Sequence, residues 1–217
     1  MRNLGGARQT KGVLPVLLSR PTIVMFALIA LAVPATASAG PLVADAPDCA
    51  AQSASKVFLP WADPADYVLA PGGAAESADG WTLTDGAAIV AGSEPYAVHD
   101  AADAGALSLP PGATATTGTM CVGIEHPTLR FFTRSSSVLG AQVSVEVLFE
   151  TAAGDVATAP VGVDGGGAWA PTLVMPITPS LLTLLPGNQT PVQFRFTSTG
   201  GSTITVDDVY VDPFGRH

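Results

Sequence analysis

Short segments of alternating or β-branched residues, separated by turn residues, recur from residue 81 onward and constrain the fold more than any other feature. No stretch has the periodicity of an amphipathic helix of ordinary length. The segments are Trp81 to Val90, Tyr96 to His99, Ala106 to Leu109, Ala115 to Val122, Thr128 to Arg134, Gln142 to Glu150, Val156 to Val163, Trp169 to Ile177, Val192 to Thr197 and Thr203 to Val211. Short strands at this spacing predict an all-β fold in which two antiparallel sheets stack as a sandwich.

Alternation within two segments predicts which side chains enter the core, because successive strand residues point to opposite faces. The predicted core positions are Val143, Val145, Val147, Phe149, Val192, Phe194 and Phe196. The last segment breaks this pattern with Asp207 and Asp208, although aspartate is among the poorest strand formers. Either a cation compensates the two charges, or one Asp lies at a solvated edge and the other at a β-bulge.

The first 39 residues have the pattern of a secretory signal peptide. Four basic residues come first, without an acid: Arg2, Arg8, Lys11 and Arg20. The apolar run Ile23 to Val33 follows, and Ala37-Ser38-Ala39 offers a small-residue cleavage site. A membrane span needs about 20 apolar residues, so we expect cleavage after Ala39, no stable membrane anchor and an extracellular, secreted protein. A retained anchor is the alternative.

The remaining chain is acidic and divides into two parts. Residues 40–69, rich in Ala, Asp and Pro, are predicted to be an extended segment packed on the body, and residues 70–217 are predicted to form the sandwich. Residues 40–217 keep all eighteen acids but only five of the nine basic residues, which gives a net charge of −13. This balance argues against nucleic acid and anionic lipid as partners, because both require basic patches.

The two cysteines, Cys49 and Cys121, are predicted to form a disulfide, the default in an oxidising compartment. The residues are 72 positions apart, and closing such a loop stabilises a fold by roughly 4 kcal/mol in the loop-entropy model. Free reactive thiols are the alternative, but no His or Lys pattern lies nearby to activate them.

Three short motifs resemble the galactose-binding-like jelly roll of many carbohydrate-binding modules, and the resemblance covers residues 70–213. The motifs are Gly72-Gly73-Ala74-Ala75-Glu76 followed by Gly80-Trp81, His99 followed by Leu107-Ser108-Leu109-Pro110, and Val206-Asp207-Asp208-Val209. Ala75 stands where that family usually has an aromatic residue. The resemblance implies a jelly-roll sandwich in which the first and last strands meet. It also implies a structural calcium ion there, held by Glu76, by Asp207 or Asp208, and by backbone carbonyls.

A possible ligand site lies on the outer face of the sandwich. If the segment 128–134 neighbours the segments 142–150 and 192–197, one outer face displays Arg130, Phe132, Glu146, Leu148 and Arg195. Such a face either forms a concave groove or carries a ladder of cross-strand charge pairs. Trp61 and Tyr67, outside the strand region, either form the rim of a site or cover an apolar edge.

The H-E-x-x-H and G-x-S-x-G motifs of known catalytic classes do not occur in the chain. The three imidazoles are His99, His126 and His217, and none lies in a catalytic motif. We therefore expect an exported, non-catalytic domain that binds carbohydrate or a cell-envelope glycan, by resemblance of fold. The alternatives are a structural or adhesive envelope protein that binds protein partners and, third, a glycoside-active enzyme.

Overall fold

Two antiparallel sheets stack with their apolar faces together. The computed structural model describes residues 39–135, 137, 140–178 and 184–213, all within one compact unit, Ala37–His217. The predicted signal peptide, except for Ala39, and His217 lie outside these residues. No helix in the described ranges is long and apolar enough to cross a membrane.

Strands predominate in the described chain. One short helix, α1 (Pro41–Ala44), and two 3-10 turns, Cys49–Ala51 and Leu59–Trp61, lie in the N-terminal part. The strands are β1 (Val68–Leu69), β2 (Trp81–Thr84), β3 (Ala88–Ala91), β4 (Gly105–Leu109), β5 (Thr114–Thr117), β6 (Met120–Gly123), β7 (Thr128–Arg134), β8 (Gln142–Glu150), β9 (Val156–Gly165), β10 (Ala170–Pro171), β11 (Met175–Pro176), β12 (Gln189–Ser198) and β13 (Ile204–Asp212).

The strands form sheets that we call sheet one and sheet two. Sheet one has the order β10-β7-β13-β4-β3, with β1 beside β13 and β11 beside β7. Sheet two has the order β2-β5-β12-β8-β9, with β6 beside β12. Consecutive strands repeatedly change sheets, as from β6 to β7 and from β7 to β8, and every pairing is antiparallel. The predicted all-β, two-sheet antiparallel sandwich is confirmed.

The core follows the alternation of the sequence. Val143, Val145 and Val147 on β8 and Phe194 and Phe196 on β12 are buried between the sheets. Leu129 and Phe131 of β7 face them from sheet one. Burying a side chain of this size stabilises the fold by about 1.5–3 kcal/mol, so these strands carry much of the driving force for folding.

Several of the predicted strands take a different form, and the segments 115–122 and 169–177 are each divided into two short strands. The segment 81–90 is divided between the two sheets by a turn in which Asp85 and Gly86 both have positive φ angles. The segment Tyr96 to His99 is not a strand, because the Glu94 carboxylate accepts hydrogen bonds from the backbone N–H groups of Tyr96 and Val98 and closes a turn there. Local side-chain bonds of this kind compete with strand pairing.

The N-terminal segment is fastened to sheet two at two points. The Glu150 carboxylate accepts hydrogen bonds from the N–H groups of Gly40, Leu42 and Val43, which are unpaired donors at the start of α1. The Cys49–Cys121 disulfide is present, as predicted. The amide of Gln52 adds two hydrogen bonds to the backbone of Cys121. The boundary at residue 69 between segment and sandwich stays a prediction.

Candidate functional site

Part of the outer face of sheet one is apolar, and residues 57–67 cover this part. Phe132 of β7 and Tyr210 of β13 pack against Phe58, with ring centroids 5.8 and 5.9 Å apart. Tyr67 contacts the same Phe58 ring at 4.8 Å, and Trp61 contacts Phe132 at 5.3 Å. Phe58 is fully buried as a result. Trp61 and Tyr67 therefore cover an apolar surface, one of the two roles predicted for them.

A buried charged network crosses this interface. Nη1 of Arg130 donates to Oδ2 of Asp63 at 2.8 Å, and its Nε and Nη2 donate to the carbonyl oxygen of Thr172 at 3.0 and 2.8 Å. The Tyr67 hydroxyl donates to the same Asp63 oxygen at 2.8 Å. The guanidinium carbon of Arg130 lies 4.4 Å from the centre of the Phe58 ring. The network fixes both the arginine and the N-terminal segment in one arrangement.

The Asp63 carboxylate remains ionised in this setting. Burial opposes its ionisation, but the hydrogen bonds from Tyr67 and Arg130 and from the backbone N–H of Ala65 outweigh that effect. The pKa of Asp63 therefore lies below the ordinary value of 3.8. A carboxylate in this state accepts hydrogen bonds but does not serve as a proton donor near neutral pH.

An open cleft of about 480 Å³ borders this network. Its lining combines one indole, one guanidinium, one carboxylate and two exposed aliphatic side chains. The lining residues are Trp61, Ala62, Asp63, Pro64, Tyr67, Arg130, Leu173 and Val174. Leu173 is 85% exposed and Val174 49% exposed, so the cleft has an apolar edge open to solvent. This volume falls in the range of small-molecule sites.

The four predicted ligand residues do not share one face. Arg130 and Phe132 lie on β7 in sheet one, whereas Glu146 and Arg195 lie on β8 and β12 in sheet two. The assumed neighbourhood was wrong because β7 pairs with β10, β11 and β13. Phe132 is fully buried under the N-terminal segment, whereas Arg130 lines the cleft beside Trp61.

Glu146 and Arg195 form a cross-strand ion pair. The two residues stand directly opposite each other in the β8–β12 register, with Nη2 of Arg195 2.7 Å from Oε2 of Glu146. Both side chains are about one-third exposed, at 35% each. This pair is an instance of the charge ladder that was the alternative to a groove, and its contribution to stability is small. A role of Glu146 or Arg195 in ligand binding stays a prediction.

The aspartate doublet lies in a β-bulge at the centre of sheet one, not at an edge. The register of β13 against β7 shifts between Asp207 and Tyr210, and Asp208 has a φ angle of 49°. Both carboxylates are buried, with Asp207 1% and Asp208 2% exposed. They face the loop between β3 and β4, since Asp207 accepts hydrogen bonds from Ser93 and Glu94 and Asp208 accepts one from the N–H of His99.

Four carboxylates meet at this bulge. Burial raises the pKa of Asp208 to about 8, and repulsion from Asp207, Glu94 and Asp103 adds to the effect. Burial also raises the pKa of Asp207 to about 6, although three hydrogen bonds favour its charged form. A concentration of buried acids with raised pKa values is a common mark of a functional site, though structural clusters also show it.

Two of the calcium ligands implied by the family resemblance, Glu76 and Asp207, accept hydrogen bonds from the protein. The Glu76 carboxylate accepts hydrogen bonds from the N–H groups of Ala104 and Gly105, at 2.7 to 3.1 Å. Both Asp207 oxygens are likewise engaged by protein donors. Among described residues, the one group of three side chains whose ligand atoms lie within 4.8 Å of one another is His99, Asp103 and Asp208, without Glu76. A calcium ion bound by Glu76 stays a prediction.

Several residues of the two sites had no signal in the sequence. Asp63, Glu94 and Asp103 lie in irregular segments, where no periodicity marks orientation. The sequence contained one usable signal, the spacing of His99 and Asp103, which are four positions apart in the loop before β4. Their side chains are joined in the structure, with His99 Nδ1 2.7 Å from Asp103 Oδ2.

No protein-family model matches this chain. No curated protein is detectably similar to it in sequence.

Solved structures that match include carbohydrate-binding modules of three families, CBM22, CBM6 and CBM61. The CBM22-1 xylan-binding domain of Paenibacillus barcinonensis Xyn10C is 11% identical with a TM-score of 0.46, and the match covers 77% of this chain and 99% of that domain. The C-terminal CBM6 of LamC from Zobellia galactanivorans is 11% identical with a TM-score of 0.40, over 60% of this chain and 90% of that one.

A third match is part of a larger enzyme. It is the Clostridium thermocellum xylanase 10B fragment with CBM22-1 and GH10 modules, at 10% identity and a TM-score of 0.43, and the match covers 64% of this chain but only 27% of that one. All three TM-scores are below 0.5. The assignment of the sandwich therefore rests on the two sheets themselves, and no ligand is transferred from these structures.

Proposed function

We propose that the protein binds a neutral carbohydrate, without catalysis, in the cleft beside Trp61 and Arg130. The observation that carries the proposal is the composition of the cleft, in which a half-buried indole and exposed aliphatic side chains border a guanidinium–carboxylate pair. Sugars present C–H patches and hydroxyl groups together, so they need apolar and planar polar surfaces side by side.

The charge of the protein favours a neutral glycan over an anionic one as the ligand. The positive charge of Arg130 is already neutralised by Asp63, at 2.8 Å. The whole chain has a net charge of −9, so an anionic glycan would meet a repulsive field. The low pKa of Asp63 also supports binding without hydrolysis, because glycoside cleavage needs a carboxylic acid that remains protonated.

Export is part of the same proposal. Its support is the N-terminal pattern of basic residues, apolar run and small-residue site, together with the Cys49–Cys121 disulfide, which is typical of oxidising compartments. An extracellular binding domain would meet polysaccharides directly.

Binding to a panel of soluble polysaccharides, measured by affinity electrophoresis and calorimetry, tests the proposal. We expect binding to at least one neutral polysaccharide and a loss of about tenfold or more in affinity for Trp61→Ala, which corresponds to 1.4 kcal/mol. Leu173→Ser should also weaken binding. Because Leu173 is 85% exposed, its substitution should leave stability nearly unchanged.

Trp169→Ala is the matched control, because Trp169 is also half-buried but does not line the cleft. It should bind as the unmodified protein does. Equal affinity of Trp61→Ala, Leu173→Ser and the unmodified protein would show that the cleft is not the site. Failure to bind any polysaccharide would contradict the proposed function itself.

A further inference from the structure

Three side chains that can hold a metal ion meet on the outer side of the β13 bulge. Asp208 comes from the bulge, and His99 and Asp103 come from the loop between β3 and β4. One ligand atom from each lies within 4.8 Å of the others. Two contacts hold this arrangement, since Nδ1 of His99 is 2.7 Å from Oδ2 of Asp103 and the His99 N–H donates to Oδ2 of Asp208 at 3.2 Å.

The second oxygen of Asp208 has no partner among the described residues. Its Oδ1 is fully inaccessible to solvent and accepts no hydrogen bond. Buried polar atoms are nearly always paired, and an unpaired carboxylate oxygen is costly. The adjacent Asp207 is different, because its two oxygens accept three hydrogen bonds between them. Asp208 is thus held in place through one oxygen, whereas the other oxygen accepts no hydrogen bond.

The local charge favours a cation. The carboxylates of Asp207, Glu94 and Asp103 each repel the charge of Asp208 at this bulge. Within the described ranges, no lysine or arginine forms an ion pair with any of the four, and the one basic side chain in contact with them is the imidazole of His99, at Asp103. Buried charges are normally paired or bound to a metal, and a divalent ion would offset two of these carboxylates.

We propose that His99, Asp103 and Asp208 form a binding site for a divalent transition-metal cation of the Zn²⁺ type. An imidazole nitrogen with two carboxylate oxygens suits zinc and its neighbours, whereas calcium prefers six to eight oxygen ligands. The His99 side chain is 39% exposed, so the ion has a path from solvent and room for a water ligand. The site differs from the calcium site that the family resemblance implies, since it uses an imidazole and does not include Glu76.

Metal titration of the purified, untagged protein tests this proposal, after EDTA treatment and dialysis. We expect calorimetry to show one Zn²⁺ per chain, and Zn²⁺ to raise Tm by roughly 5 °C or more at saturating concentration. His99→Ala and Asp208→Asn should each weaken Zn²⁺ binding by about tenfold or more, because each removes one of three ligands. Ca²⁺ at the same concentration should have a smaller effect.

Two control variants make the result specific. His126→Ala removes an exposed turn histidine and should leave Zn²⁺ affinity unchanged. Glu76→Gln should also bind Zn²⁺ normally. Equal Zn²⁺ affinity of His99→Ala, Asp208→Asn and the unmodified protein would show adventitious surface binding only and overturn the proposal. A Tm rise with Ca²⁺ alone that disappears in Glu76→Gln would also overturn it, in favour of the family-type calcium site. Neither outcome bears on glycan binding.

Discussion

Replacing Phe58 with alanine is expected to lower the free energy of unfolding by about 3–5 kcal/mol, the usual cost of emptying an aromatic site in a core. Phe58 is fully buried and contacts the rings of Trp61, Tyr67, Phe132 and Tyr210. The substitution would leave a cavity between the N-terminal segment and sheet one. In a domain of this size, the corresponding fall in Tm is roughly 6 °C or more, measurable by calorimetry.

Leu59→Ala is the matched control, because Leu59 directly follows Phe58 in the chain. Leu59 is 56% exposed, so its truncation should change the free energy of unfolding by less than about 0.5 kcal/mol. If both variants melt alike, residues 57–67 are not an integral part of the folded unit. The result therefore decides whether this segment belongs to the cooperative fold or only lies on it.

The interior of the sandwich could be predicted from the sequence because it depends on a local rule. Alternation along β8 and β12 assigns each side chain to a face without knowledge of any neighbour. Val145 and Phe194 accordingly lie in the core where the pattern predicted them. The family resemblance led to the same class of fold, although Ala75 lacks the usual aromatic side chain.

The outer faces could not be predicted, because they depend on which strands pair. Periodicity shows that Arg130 and Phe132 point away from the core, but not that β7 belongs to sheet one while β8 belongs to sheet two. Periodicity also does not show that residues 57–67 pack on the outer side of β7. Both facts follow from contacts between residues far apart in the chain, for which one sequence carries no local signal.

The acidic bulge at Asp207 and Asp208 could be predicted from the sequence only in part. The doublet Asp207-Asp208 marked the position as unusual, and a bulge was among the explanations. Its burial was not foreseen, because an Asp doublet is expected at a solvated edge. The loop that covers it is shaped by the Glu94 carboxylate through bonds to Tyr96 and Val98, which no strand or helix pattern reveals.

Asp208 should oppose folding increasingly as the pH rises in the metal-free protein. Its pKa rises from 3.8 to about 8 in the folded state, chiefly by burial and then by repulsion from Asp207, Glu94 and Asp103. The folded state therefore binds the proton more tightly than the unfolded state does. The favourable contribution is complete below pH 3.8, and it is lost progressively as the pH rises to about 8.

Asp208→Asn is accordingly expected to raise Tm in EDTA, by a margin that grows from pH 5 to pH 8 and reaches roughly 5 °C or more. Asparagine tolerates the φ angle of 49° and can still accept the N–H of His99, so the bulge should persist. Asp100→Asn, at an exposed position in the same loop, should show no comparable pH-dependent gain.

Thermal unfolding of the three proteins at both pH values measures the effect. A Tm difference between Asp208→Asn and the unmodified protein that is constant with pH would mean that Asp208 is not the destabilising charge. A lower Tm for Asp208→Asn at pH 8 would mean that the carboxylate is needed there even without metal.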